Sequence, residues 1–374
     1  VIHWVKFSGI AWKGDGFYYS AYDAPVAGKE YSNKNEYHKV YYHKVGDAQS
    51  KDQLVFENKD YPLRNCSAIV SEDEALLFIA ETASTSGNSL QFKDLNNPTA
   101  GFVTLEAGFD NDYAVVDHID GKIYLLTNWQ ASNQQLMEID TKNPGRENWK
   151  TIIPASKNVL EGVSVLGGKF IAQYLQDAAS HAYAYDLSGK LLYEVKLPTV
   201  GTISGFSGDK DDNEAFYTFS SFTFPPTIYR FDVAANKAEV FRKADVSFQP
   251  EDYVSEQLFY TSKDGTKVPM FITYKKGMQK TGKNPLLLYG YGGFNISVNP
   301  GFKQFRSGCV EWAYNWSTGQ WECAAEVERD LHLRYDSPCR NAGDPGYSLA
   351  EGDRDIDGQS RIMGSRVDMG ADEI

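Results

Sequence analysis

The chain has 374 residues and a formal net charge of −13, with 42% hydrophobic and 23% charged residues, which is the composition of a globular protein. The negative charge argues against nucleic acid as a partner, because phosphate binding depends on clusters of lysine and arginine. The sequence contains no run of about 18 apolar residues, so we predict no membrane span and no membrane partner.

One pattern recurs from about Val5 to Lys243: an apolar strand, a turn, a second strand, a polar turn, a third strand and a shorter fourth. Its spacing of roughly 40 to 55 residues is the period of four-stranded propeller blades. A single β-sandwich is the alternative, but it does not explain such regular spacing. We therefore predict a mainly β fold with a partial β-propeller of about five blades. The second strands are predicted at 16–22, 75–80, 122–127, 169–174 and 214–219, and the third strands at 39–43, 89–94, 135–140, 181–186 and 227–232.

Turn dipeptides lie where tight hairpins would need them, at Asp15-Gly16, Asp120-Gly121, Gly167-Gly168 and Ser188-Gly189. The blade-like pattern is already present at Val1, and an open ring would leave strand edges bare. We therefore expect further blades to precede this sequence in a longer protein.

The sequence pattern changes after a predicted linker at about residues 245–252. Two strand-like runs, 257–262 and 267–274, flank Lys263-Asp264-Gly265-Thr266, which predicts a hairpin.

The most informative motif comes next: Leu286 to Leu288 and then a turn carrying Gly290, Tyr291 and two more glycines. The leucines read as a short buried strand. A phenol on a glycine-rich turn can be aimed at an atom that becomes negatively charged during a reaction. The alternative is an ordinary turn with packed tyrosines. The glycines fit neither a phosphate loop nor a dinucleotide fingerprint, so we predict no cofactor.

Three stretches together resemble the prolyl oligopeptidase family: 5–8 with Ala11-Trp12, then 260–272, then 288–297. The resemblance covers residues 5–302, about four-fifths of the chain. It implies a seven-bladed propeller, with about five blades here at 1–245, that keeps folded proteins away from an α/β-hydrolase domain. The first strands of that domain would occupy 246–302. The implied activity is that of a serine endopeptidase that cleaves short peptides after proline.

The resemblance also implies roles for three aromatic residues. Tyr291 would donate its hydroxyl to the oxyanion, Phe294 would form an apolar wall of the substrate pocket, and Phe7 would reach into that pocket from the propeller. For each phenylalanine the alternative is core packing. One departure affects binding: where the family often has arginine in a Ser-Ile-Arg-Glu strand end that holds the substrate main chain, this chain has Ala80, whose side chain has no charge and no donor.

The catalytic serine, aspartate and histidine of the family are not found. No Gly-x-Ser-x-Gly elbow occurs, and His332 is the only histidine after Phe302. A hydroxyl without a positioned base is a weak nucleophile, so we predict that this chain alone is inactive. The four histidines of the repeats are predicted to have structural roles; they are His38, His43, His118 and His181.

The family pattern stops after about Phe302, and 303–374 form a polar acidic tail similar to the C-terminal ends of secreted right-handed β-helix proteins. Asp353, Asp355 and Asp357 begin like a calcium loop, but Gly364 occupies the twelfth position, where glutamate is needed, so we predict no metal site. The alternative function is a non-catalytic propeller that acts as a binding module fused to this tail. The family and the tail leave a cytoplasmic or a periplasmic location open.

Overall fold

Five four-stranded antiparallel sheets follow one another along the described part of the chain, and each is called a blade below. The computed structural model describes residues 1–30, 32–246, 248–284, 286–291 and 296–302, together with the backbone of 309–315 and 320–326. Contacts divide the chain into two compact units, Val1–Lys303 and Gln304–Ile374. All five blades belong to the first unit.

Within each blade the four strands are hydrogen-bonded in chain order. Blade 1 comprises β1 (Ala11–Lys13), β2 (Gly16–Ala21), β3 (Lys39–Lys44) and β4 (Gln53–Glu57); blade 2 comprises β5 (Asn65–Val70), β6 (Leu76–Thr82), β7 (Asn88–Asp94) and β8 (Val103–Glu106). Blade 3 comprises β9 (Tyr113–Ile119), β10 (Lys122–Thr127), β11 (Gln135–Asp140) and β12 (Lys150–Ile153). Blade 4 comprises β13 (Val159–Leu166), β14 (Lys169–Gln176), β15 (Ala179–Tyr185) and β16 (Leu191–Glu194), and blade 5 comprises β17 (Thr202–Gly208), β18 (Glu214–Ser220), β19 (Thr227–Asp232) and β20 (Lys237–Lys243).

These sheets confirm the predicted fold class, and the second and third strands lie within about two residues of their predicted bounds. Helical structure in the described ranges is limited to single 3-10 turns at Gln49–Lys51, Arg146–Asn148 and Pro250–Asp252. In the same ranges, no helix is long and apolar enough to cross a membrane.

The second strands of blades 2, 3 and 4 are apolar on both faces because each of these blades has a neighbouring blade on either side. In β10, Ile123 and Leu125 pack into the core between blades 2 and 3. Tyr124 and Leu126, which point the other way, pack into the core between blades 3 and 4. Separate clusters fill the boundaries between blades 1 and 2 and between blades 4 and 5. The hydrophobic core is therefore divided among the blade boundaries.

The predicted tight turns are present, with one shift. Asp120 and Gly121 have φ of 49° and 77°, and Gly167 and Gly168 have φ of 55° and 66°, as a two-residue hairpin turn requires. In blade 1, however, Lys13 pairs with Gly16, so Gly14 and Asp15 form the turn instead of Asp15 and Gly16. The left-handed residue there is Gly14, with φ of 58°.

The predicted hairpin after the blades is also observed. Strand β21 (Tyr253–Thr261) pairs antiparallel with β22 (Lys267–Lys275), in register from Tyr253 opposite Lys275 to Thr261 opposite Lys267. Gly265 supplies the left-handed turn residue, with φ of 87°.

The prediction of a buried strand at Leu286–Leu288 is wrong. The three side chains are 77%, 74% and 79% exposed, and the backbone there is irregular. A strand needs a hydrogen-bonding neighbour, and β21 and β22 pair only with each other among the described residues. Apolar character alone therefore did not produce a strand.

The second unit contains one described hairpin, in which β23 (Cys309–Asn315) pairs antiparallel with β24 (Gln320–Glu326). The predictions about the Asp353–Asp357 segment and His332 lie outside the described residues.

Candidate functional site

Phe7 lies in the segment that leads into β1 and has an unusual conformation. Its φ is +51°, a left-handed value that large side chains rarely adopt, and its side chain is 68% exposed. Among the described residues its ring packs against no other aromatic ring. The structure thus presents a large apolar side chain to solvent in the segment that precedes β1, rather than in the core of the described residues.

Backbone contacts on both sides of Phe7 fix its segment to β2. The Tyr22 N–H donates to the Trp4 carbonyl at 3.3 Å, and Val5 forms an isolated bridge with Ala21. The Ser20 N–H donates to the Ser8 hydroxyl at 2.7 Å. The chain therefore runs beside β2 before and after Phe7.

A buried histidine supplies a further contact. The Nε2 atom of His38, a residue that is 2% exposed, lies 2.9 Å from the carbonyl oxygen of Lys6. Its Nδ1 atom accepts the Cys66 N–H at 3.0 Å. Burial lowers the pKa of His38, against the opposing effect of the hydrogen bond to Lys6. The sequence predicted a structural role for His38 but not this link to the Phe7 segment, because both partners are backbone groups that carry no signal in the sequence.

Tyr291 lies in an irregular segment and is 48% exposed. The segment from 296 to 302 contacts blade 5 and the residues that follow it: the Thr202 hydroxyl donates to the Pro300 carbonyl at 2.7 Å, and the Phe248 and Phe302 rings stack with centroids 6.1 Å apart. The exposure of Tyr291 shows that its side chain is accessible rather than enclosed in a core. Among the described residues it makes no hydrogen bond and no ring contact with Phe7.

The rest of the glycine-rich motif is only partly visible. Phe294 and the glycines at 292 and 293 lie outside the described residues. Gly290 has no left-handed φ, and a Cβ added to it would meet no atom within 4 Å.

Ala80 faces the core instead of an open site. It lies in β6, is 9% exposed and belongs to the cluster between blades 2 and 3. The neighbouring Glu81 accepts a hydrogen bond from the Asn58 amide at 2.7 Å and lies 4.0 Å from an Arg64 nitrogen. Arg64 in turn covers the Tyr61 ring, with 3.6 Å from its guanidinium carbon to the ring centroid.

The other repeat histidines are paired with carboxylates. His43 lies 2.7 Å from Asp52, His118 lies 2.7 Å from Asp73, and His181 lies 3.3 Å from Glu194. His43 and His118 are buried. No group of three or more His, Cys, Asp or Glu residues in the described ranges could hold a metal ion.

Comparison with known proteins identifies the repeats. Residues 1–244 match the family described as prolyl oligopeptidase, N-terminal beta-propeller domain. A prolyl endopeptidase of Elizabethkingia meningoseptica is 45% identical over 299 residues, which are 80% of this chain and 42% of that protein. A prolyl endopeptidase of Dictyostelium discoideum is 33% identical over an alignment of 330 positions, which covers 80% of this chain and 43% of that protein.

Solved structures agree. Prolyl oligopeptidase B from Galerina marginata, bound to a 35mer hydrolysis and macrocyclization substrate, superposes with a TM-score of 0.71 at 29% identity, over 80% of this chain and 43% of that one. This chain therefore spans less than half the length of the relatives that it matches. On the blades and these matches, the chain belongs to the prolyl oligopeptidase family, through its N-terminal β-propeller domain.

Proposed function

We propose that this chain is the propeller portion, with the beginning of the peptidase domain at 246–302, of a serine endopeptidase that cleaves short peptides after proline. The observation that carries the proposal is the match of all five blades to the propeller domain of prolyl endopeptidases. In this role the propeller limits access to the active site, and the ligands are short proline-containing peptides.

Within this function, Phe7 and Phe294 form apolar walls around the substrate, and the Tyr291 hydroxyl stabilises the oxyanion. The exposure of Phe7 and Tyr291 supports these roles, since both side chains are free to meet a ligand. Losing one oxyanion donor costs about 10² to 10³ in rate in well-studied hydrolases.

The chain alone is expected to bind without cleaving. It contains no Gly-x-Ser-x-Gly segment, and a hydroxyl without a positioned base is a weak nucleophile. Incubation of the purified chain with a chromogenic Gly-Pro amide should release no product. Product release that a serine-directed inhibitor blocks would contradict this expectation.

Binding tests the ligand class directly. Calorimetric titration with a proline-containing hexapeptide should show tighter binding than titration with the same peptide carrying alanine in place of proline. Equal affinity for the two peptides would overturn the proposal and would favour a binding module without proline selectivity.

A further inference from the structure

His38 connects three separate parts of the chain through one buried ring. Its Nε2 faces the Lys6 carbonyl, its Nδ1 faces the Cys66 N–H at the start of blade 2, and its ring stacks on Tyr22 with centroids 4.4 Å apart. Lys6 immediately precedes Phe7. His38 therefore links the start of blade 2 to the Phe7 segment through two hydrogen bonds of one ring.

The partners fix the tautomer of this ring. A backbone N–H can only donate, so Nδ1 must carry a lone pair towards Cys66. A carbonyl can only accept, so Nε2 must carry the proton towards Lys6. The neutral ring protonated on Nε2 satisfies both groups, and a second proton on Nδ1 would remove the acceptor of the Cys66 N–H.

The Phe7 segment needs such a contact because its backbone is strained. A left-handed conformation costs an ordinary L-residue roughly 1–2 kcal/mol. Strained conformations persist only where the surrounding structure fixes them, and they concentrate at functional sites. Trp4, three residues earlier, is also left-handed, with φ of 61°. His38 bonds the carbonyl of Lys6, the backbone group that immediately precedes Phe7.

We propose that His38, as the Nε2-protonated neutral tautomer, is a positioning residue that holds Phe7 in its exposed, left-handed conformation for substrate contact. The contribution to substrate contact depends on the function proposed for Phe7; the positioning itself does not.

The surroundings of the ring favour the neutral form. The titratable groups against it are the Tyr22 phenol and the Cys66 thiol, whose Sγ donates to the His38 carbonyl at 3.1 Å. The Lys6 ammonium is directed to Asn35 instead. Among the described residues, no carboxylate is within hydrogen-bonding distance of the ring.

Two neutral variants separate the two bonds. In His38→Gln the terminal amide can replace Nε2 as donor to Lys6 while the bond to Cys66 is lost. In His38→Asn the shorter side chain can replace Nδ1 as acceptor from Cys66 while the bond to Lys6 is lost. Amide hydrogen exchange, measured by NMR, follows the two bonds separately. The Ser20 and Tyr22 amides donate to the Phe7 segment, and the Cys66 amide donates to His38.

We expect His38→Asn to accelerate exchange at Ser20 and Tyr22 by about tenfold or more and to leave Cys66 protected, and His38→Gln to do the reverse. The 15N shifts of wild-type His38 should show an unprotonated Nδ1 and a protonated Nε2. Equal exchange at Ser20 and Tyr22 in the two variants, or a proton on Nδ1, would overturn the proposal.

A separate readout tests the link to function. If Phe7 contacts substrate, His38→Asn should weaken binding of the proline-containing hexapeptide several-fold more than His38→Gln does. If the exchange pattern appears as expected but both variants bind the peptide equally well, the positioning is correct and the substrate role of Phe7 is wrong. Melting temperatures of both variants establish that the comparison is made on folded protein.

Discussion

Phe7 combines two properties that usually oppose folding, because a large apolar side chain is exposed to water on a left-handed backbone. Neither property contributes to a core. Residues of this kind mark sites where conformational strain is retained for another purpose. At the residue scale, stability and substrate contact should therefore respond in opposite directions to a change at this position.

Replacing Phe7 with asparagine should change stability and substrate binding in opposite directions. Asparagine tolerates left-handed backbone, and little buried surface is lost, so the free energy of unfolding should rise by about 0.5–1 kcal/mol. Binding of the proline-containing hexapeptide should become weaker. Thermal unfolding and calorimetric titration measure the two effects.

Phe241→Asn is the matched control, because Phe241 is 61% exposed but lies in β20 without a left-handed φ. It should not stabilise the chain. A loss of stability in Phe7→Asn similar to the loss from a core substitution would contradict the functional interpretation of Phe7.

His38 gives the chain a specific pH dependence. Its pKa is lowered by burial, so the unfolded chain binds this proton more readily than the folded chain. The stabilisation is complete above the unfolded pKa of about 6.5 and declines as the pH falls towards the lower folded pKa. Urea unfolding of the wild type between pH 7 and pH 5 should show this decline, and His38→Gln should show less of it. The same pH dependence of the free energy of unfolding in both proteins would exclude a contribution from His38.

At the scale of the strand, the alternation of faces explains why the blades could be predicted so closely from the sequence. Strands such as β10 and β14 must be apolar on both sides because a blade covers each side. A polar turn follows, and both signals repeat at the blade period. The bounds of the second and third strands were therefore predictable within about two residues.

The prediction of a buried strand at Leu286–Leu288 was wrong because composition does not show whether a strand has a partner. Three leucines have the composition of a buried strand, but strand formation depends on partners elsewhere in the chain, and the sequence of one segment does not contain them. The turn at Gly14–Asp15 shifted by one residue because the pairing of Lys13 with Gly16 decides the register. For the candidate site, the family motif indicated which residues to examine but not the exposure of Phe7 or its link to His38.

Two phenylalanines of blade 5 test the division of the core. Phe231 in β19 is 1% exposed within the boundary to blade 4, whereas Phe241 in the adjacent β20 is 61% exposed. Phe231→Ala should lower the free energy of unfolding by about 3–5 kcal/mol through lost burial and a cavity. Phe241→Ala should change it by about 0.5 kcal/mol or less. Urea titrations followed by circular dichroism would measure both, and similar values would contradict the assignment of the core.

At the scale of the whole propeller, Lys210 connects blades that are not neighbours in sequence. It lies in the turn between β17 and β18 of blade 5, and its N–H donates to Glu72 of blade 2 at 3.1 Å. Its carbonyl accepts the Gly168 N–H of blade 4 at 3.0 Å. Its ammonium lies 4.0 Å from the buried carboxylate of Asp117 in blade 3. Four blades therefore meet at this residue.

Lys210→Met should destabilise the chain in a pH-dependent manner. Burial already raises the pKa of Asp117, and Lys210 opposes that rise. Without the ammonium, the charged carboxylate is left buried, which should cost on the order of 1–3 kcal/mol at pH 7. The cost should shrink as the pH falls and Asp117 takes up a proton.

The same substitution in an Asp117→Asn background provides the control, because no buried charge then remains to be compensated. Thermal unfolding at pH 7 and pH 5 should show a smaller effect of Lys210→Met in that background. Equal effects in both backgrounds would contradict a stabilising interaction between the Lys210 ammonium and the Asp117 carboxylate.

The order of strands within each blade has a consequence for synthesis. Every blade is one uninterrupted meander, complete within a single stretch of the chain. At translation rates of about 5–20 residues per second, a ribosome needs only a few seconds to deliver each one. A nascent polypeptide could thus finish its earliest sheets while later ones are still being made, and each finished sheet would offer a template on which the next could fold.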